Sequence, residues 1–152
     1  MRSQYTFTGQ YDFAIDSKNR INIPAIFRKQ LHKSDKNKFV ITRGIDHCIW
    51  IYPIGEWEKI EKELNQLSSL SRTNRTFLRN HLRHAKIVSS DEQGRIILTK
   101  SLVKYANILK DITIIGVLNK IEVWDNHTLN ELDSQQDINE EAYEELSKRV
   151  NI

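Results

Sequence analysis

The chain has 152 residues, 39% hydrophobic and 28% charged, a balance that excludes the composition of disordered chains and suits one compact core, or two halves sharing one. Its apolar runs fall short of the roughly 20 residues that span a bilayer, "MRSQYTFTGQ" lacks the apolar core of a secretory signal, and the single Cys48 excludes an internal disulfide; a cytosolic protein is expected. The net charge of +3 hides an asymmetry, because residues 1–110 hold 20 Lys and Arg against 10 Asp and Glu (+10), whereas residues 111–152 hold 3 against 10 (−7). A localised basic half suits a polyanion such as nucleic acid, or the acidic tail of a neighbouring chain, and charge alone leaves both open.

In chain order, Tyr11, Phe13 and Ile15 alternate with polar positions as a half-buried strand does. "IDSKNRINIP" (15–24) then reads as a tight turn with a basic tip leading into Ile21 and Ile23. Pro24 suits a first helical turn, with Ile26, Phe27 and Leu31 as the apolar face. Phe39, Ile41, Ile49 and Ile51 alternate around Gly44 to Asp46, the pattern of a hairpin. After Pro53, Trp57, Ile60, Leu64 and Leu67 recur at helical spacing, and beyond "LSSLS" a second helix is expected over 72–86. A second turn, "SDEQGRIILT" (90–99), precedes a helix through Leu102, Val103 and Ala106 and a hairpin over 113–125. Ile138, Ala142, Leu146 and Val150, four apart among Glu140, Glu141, Glu144 and Glu145, give an acidic amphipathic helix that ends in Lys148 and Arg149, where the helix dipole favours cations.

The chain repeats itself. At an offset of 75, Asp16 falls on Asp91, Arg20 on Arg95, Ile21 on Ile96 and Ile23 on Leu98; at 72, "ITRGIDHCIWIYP" (41–53) lies over "TIIGVLNKIEVWD" (113–125). Two copies are too few for a solenoid and imply a pseudo-symmetric pair. Within each Asp-x-x-x-Arg turn the fourth residue is Asn19 or Gly94, the two types that most readily adopt positive φ, so both copies are expected to share one backbone shape. Asp16 and Asp91 are placed to accept backbone N–H groups across the turn. Two roles stay open for Arg20 and Arg95: a surface ion pair with the turn's own Asp, which contributes little, or a bidentate contact to phosphate or guanine. Lys18 has no such internal partner. If the halves associate about a two-fold axis, the tips are expected side by side on one basic face.

Elsewhere the signals are weaker. Arg72, Arg75, Arg79 and Arg83, spaced along one helical face with Lys86 beyond, fit a phosphate track, a solvated face, or a dock for a neighbour's acidic helix. His81 and His84 lack a third ligand, so no metal is expected. His47 beside Cys48 lacks the orienting third group of a nucleophile pair, and the chain has no Gly-rich phosphate loop, Gly-x-Ser-x-Gly or clustered carboxylate pair, which argues against an enzyme.

"YDFAIDSKNRINIPAIFRKQL", "VITRGIDHCIWIYPIGEW", "SSDEQGRIILTKSLVKYA" and "VLNKIEVWD", in this order over roughly residues 5–145, resemble the MraZ family of bacterial transcriptional regulators, built from two SpoVT-AbrB-type domains. The resemblance implies an α+β, mainly β fold: a duplicated swapped-hairpin barrel with short helices and an inserted helical hairpin. Its parts would be a first repeat at 7–54, a helical connector at 55–81, a second repeat at 82–125 and C-terminal helices with the acidic tail at 126–152. It further implies ring-shaped homo-oligomers in the cytoplasm, at the nucleoid, that bind double-stranded DNA at direct repeats in the promoter of their own division and cell-wall operon, without a cofactor. The family's DNA contacts map to Lys18, Asn19, Arg20 and Arg95, with Asp16, Asp91 and Gly94 supporting the turns. The chain departs from the family pattern at Asn19, where Gly is usual, and at Thr99, where Pro is common; within the chain itself, Gln93 stands opposite Lys18, so the second turn carries less charge. The alternative is an antitoxin-like interaction module of the same barrel, its acidic tail neutralising a basic partner.

Overall fold

The computed structural model describes residues 4–135 and 138–152. Its main body is a six-stranded antiparallel sheet in the order β1, β7, β8, β4, β3, β5. The strands are β1 (Phe7–Ala14), β3 (Lys38–Arg43), β4 (Ile49–Pro53), β5 (Lys86–Ser89), β7 (Asp111–Leu118) and β8 (Lys120–Asp125). A separate two-stranded ribbon pairs β2 (Arg20–Asn22) with β6 (Arg95–Ile97). The helices are α1 (Ala25–Arg28), α2 (Ile54–Leu64), α3 (Arg72–Leu82), α4 (Lys100–Tyr105), α5 (Asn126–Ser134) and α6 (Glu140–Arg149).

The period of two along the strands sorts their side chains onto two faces. Phe39, Ile41, Ile49, Ile51, Ile112, Ile114, Ile121 and Val123 point inward, and against them pack Ile21 and Ile96 from the ribbon, Phe27 from α1 and Leu102 from α4. The opposite face is covered in two places. Trp57 of α2 packs with Val40 and Tyr52, while Leu129 of α5 packs with Cys48 and Trp124. On this side Glu122 accepts the indole N–H groups of Trp50 (2.9 Å) and Trp124 (3.0 Å), so its carboxylate clamps β4 to β8.

Each half lends its first strand to the other: β1 pairs with β7, and β5 pairs with β3, so neither half closes its own sheet. The expected closed barrel is corrected to an open sheet. Closure would need β1 to meet β5, but these are the two edges, and β2 and β6 pair with each other rather than with either edge.

Two local expectations also change, and the departure at Thr99 finds its reason. The helix expected over 72–86 stops at Leu82, with Arg83 as its C-cap, and Lys86 starts β5, a strand that a helical reading of the stretch had absorbed. Ile26 is 54% exposed, so α1 is anchored by Phe27, not by an apolar stripe. Thr99 starts α4 where Pro24 starts α1, and its hydroxyl accepts the Leu102 N–H at 3.3 Å, so a side-chain cap does the work of the proline.

Candidate nucleic-acid interface

The two Asp-x-x-x-Arg turns have one geometry. In the first, one Asp16 carboxylate oxygen accepts the backbone N–H groups of Lys18 and Arg20, both at 2.9 Å, and the other accepts Arg20 Nε–H at 2.7 Å. In the second, Asp91 accepts from Gln93 and Arg95 at 2.9 Å and from Arg95 Nε–H at 2.8 Å. Asn19 and Gly94 take the positive φ values that close the loops, 58° and 79°. The Arg20 and Arg95 backbone N–H groups, followed by their guanidinium groups, hold the two carboxyls below the ordinary value of 3.8, so both are ionised at neutral pH.

The ion pair and the outward role prove compatible. Each arginine spends only Nε on its Asp, and among the described residues its two terminal nitrogens make no hydrogen bond. The Asp thus fixes the direction of the guanidinium and leaves its donor fork free, which is what bidentate recognition requires. Lys18 is exposed at the tip with no ion-pair partner among the described residues.

The ribbon joins the turns. Arg20 lies opposite Ile97, Ile21 opposite Ile96 and Asn22 opposite Arg95. Two equivalent bonds extend this pairing, Ile23 N–H to the Gly94 carbonyl (2.9 Å) and Leu98 N–H to the Asn19 carbonyl (2.8 Å), which places the pseudo-two-fold axis between Ile21 and Ile96. Since Ile21 and Ile96 are buried, alternation puts Arg20, Asn22, Arg95 and Ile97 together on the outward face. The expectation of one basic face holds in this form, but the tips are not side by side: antiparallel pairing puts them at opposite ends of the ribbon.

Sequence reasoning missed Arg28. Its Nε–H bonds the Ile23 carbonyl at 3.0 Å, and the side chain lies so close over Gly94 that a Cβ there would come within 2.3 Å of it. At the repeat offset of 75 its counterpart is Val103, which lines an open depression beside Asn19 together with Lys100 and Lys104. The different fourth residues thus have a packing cause: a long side chain from α1 fills the space over turn two and demands Gly, whereas Val103 beside turn one leaves room for Asn. Asn22 and Ile97 were also missed. Only the pairing register reveals them, and a register between segments 75 residues apart leaves no local signal.

The other sequence candidates fall elsewhere. Arg72 and Arg79 on α3 and Arg83 at its C-cap lie across the sheet from the ribbon, and Arg75 turns back to donate to the Ser69 and Leu70 carbonyls at 2.9 and 3.2 Å. His47 sits against the Tyr105 carbonyl at 3.2 Å, while Cys48 is buried with its thiol pushed well above the ordinary range by burial, so the pair does not form a nucleophile and base. His81 packs on Trp50 and Phe77, and no cluster of three metal-binding side chains occurs among the described residues. Among the described residues, no helix is long and apolar enough to cross a membrane.

Fold and site together define a tandem-repeat α+β protein whose two halves exchange first strands and present one basic ribbon. The chain belongs to the MraZ family: the family's model, described as an antitoxin-like MraZ protein, matches twice, over residues 6–80 and 81–150. It is 39% identical over 142 residues to the transcriptional regulator MraZ of Clostridium tetani (strain Massachusetts / E88), covering 93% of this chain and 97% of that protein. It is 43% identical over 141 residues to the transcriptional regulator MraZ of Halothermothrix orenii, covering 93% and 94% respectively.

Proposed function

We propose that the chain is a cytoplasmic, nucleoid-bound transcriptional regulator that binds double-stranded DNA as a homo-oligomeric ring, reading direct repeats in the promoter of its own division and cell-wall operon. The observation that carries this reading is the matched pair of Asp-braced arginines, each with a free donor fork, on one outward ribbon face. A two-stranded ribbon fits a major groove about 12 Å wide. Arg20 and Arg95 then reach base edges or phosphates, Lys18 reaches the backbone, and Asn19 shapes the first tip; Asp16, Asp91 and Gly94 keep the turns rigid. The names of the relatives support the regulatory class. Direct repeats suit a head-to-tail ring, because it offers the same ribbon repeatedly in one direction, whereas a closed two-fold dimer reads palindromes. No step in this reading needs a cofactor.

The test is a gel shift with the chain's own upstream DNA. Arg20→Ala and Arg95→Ala should each weaken binding at least tenfold, about 1.4 kcal/mol, Arg20→Ala the more so because Lys18 shares its turn, with the oligomer unchanged by native mass spectrometry. Full binding by the double variant would sink the site. The exposed acidic α6 and the antitoxin-like family description favour a second reading, an interaction module that neutralises a basic protein. Co-purification of a small basic protein that is lost on truncation after Ser134 would support it.

A further inference from the structure

Two apolar surfaces on helices lie open among the described residues. On α6, Tyr143, Leu146 and Val150 form one stripe and are 65%, 55% and 63% exposed. Glu140, Glu141, Glu144 and Glu145 flank the stripe, and none of them has an ion-pair partner among the described residues. The second surface is the groove between α2 and α3. Leu64, Leu78 and Leu82 line an open depression of about 390 Å³ there, and Trp50, Trp57 and Phe77 line a smaller apolar hollow beside it.

The α3 side of this groove is charged in the complementary sense, while the α2 side lines it with Glu61 and Lys62. The stretch 72–86 contains five Lys and Arg and no Asp or Glu. Arg72, Arg79 and Arg83 are exposed on it without an ion-pair partner among the described residues. The lengths also agree: α6 has 10 residues and α3 has 11, so both run for roughly 15–16 Å.

We infer that α6 of one subunit docks in the α2–α3 groove of the next, apolar stripe down and glutamates against the arginine row. The inference rests on the ring of the proposed function and says which surfaces build it; it is independent of what the ribbon binds. An amphipathic helix in an apolar groove, anchored at i, i+3 and i+7, is a recurrent mode of recognition. Donor and acceptor surfaces differ, so the contact is heterologous, and a heterologous contact repeated around a closing rotation makes a ring. Each subunit gives one helix and receives one. The groove lies on the sheet face opposite the ribbon, so every ribbon in the ring stays free.

Two variants test this. Tyr143→Asp/Leu146→Asp keeps the groove and spoils the helix; Arg72→Glu/Arg79→Glu/Arg83→Glu keeps the helix and spoils the groove. By native mass spectrometry each alone should be a monomer, and an equimolar mixture should give a heterodimer and nothing larger, since its one remaining contact joins an intact helix to an intact groove. A labelled peptide of residues 138–152 should bind the helix-spoiled chain and bind the groove-spoiled chain at least tenfold more weakly. Far-UV circular dichroism establishes that both variants fold. If either variant keeps the wild-type assembly, or the mixture stays monomeric because α6 folds back on its own chain, the docking is wrong. If the arginine variant stays assembled but loses DNA, the row is a phosphate track and the docking is again wrong. A wild-type chain that is itself monomeric would overturn the ring and this inference together.

Discussion

A single glycine shows how far one half of the chain depends on the other. Gly94 is required twice, by its φ of 79° and by Arg28 standing where a side chain would go. An L-residue at such a φ costs about 1–2 kcal/mol, and crowding in a filled site adds about 1–3 kcal/mol. Gly94→Ala should therefore destabilise by about 2–5 kcal/mol in urea denaturation. In an Arg28→Ala background the same change should cost only the backbone part, about 1–2 kcal/mol. A cycle with no coupling between the two positions would show that Arg28 does not hold turn two. The shape of each turn was legible in the sequence, because Asp at the first position and Asn or Gly at the fourth dictate it locally. Arg28 was not, because its role exists only once α1 has packed over a turn 66 residues further on.

The same contrast governs the elements. Period-two patterning in "FVITR", "IWIYP" and "IEVWD" marks β3, β4 and β8, and the inner and outer faces follow from it. Which strand pairs with which does not follow, since β1–β7 and β3–β5 join distant segments by main-chain bonds that any sequence could make. The closed barrel came from the family resemblance and not from any pairing read in the residues, and the pairing itself leaves the sheet open. The four-residue β5 was hidden for another reason: "HAKIVSS" continues the spacing of the arginine helix before it. Short α1 offers a sharp test of what positions the ribbon. Four residues cannot form a stable helix alone, so α1 depends on burying Phe27, which is 1% exposed. Phe27→Ala should cost about 3–5 kcal/mol and release Arg28 from turn two, weakening DNA binding as well. Ile26→Ala, at an exposed neighbouring position, should change stability by less than about 0.5 kcal/mol. Equal effects from the two, measured by urea denaturation, would mean that α1 is held by something other than its phenylalanine.

At the scale of the assembled molecule, affinity is a matter of counting. One subunit brings few free cations to the ribbon: Lys18, Arg20 and Arg95, with Arg28 behind them. Each phosphate neutralised contributes about 0.9 to the slope of log K against log salt, so three contacts give a slope of about −3 and weak binding at physiological salt. In the proposed ring, neighbouring subunits would turn the second and later contacts into intramolecular events, and affinity would rise with the number of operator repeats without any new kind of contact. The prediction separates assembly from recognition. Fluorescence anisotropy between 50 and 300 mM salt should give a slope of about −3 on a one-repeat probe and about −5 to −6 on a two-repeat probe of equal length. A chain with Tyr143→Asp/Leu146→Asp should return the one-repeat slope on both probes, its ribbon intact and its neighbours gone. If that monomer still distinguishes two repeats from one, the repeats are counted within a single chain by its two turns and not by the ring, and the duplication inside the sequence, not the oligomer, sets the operator spacing.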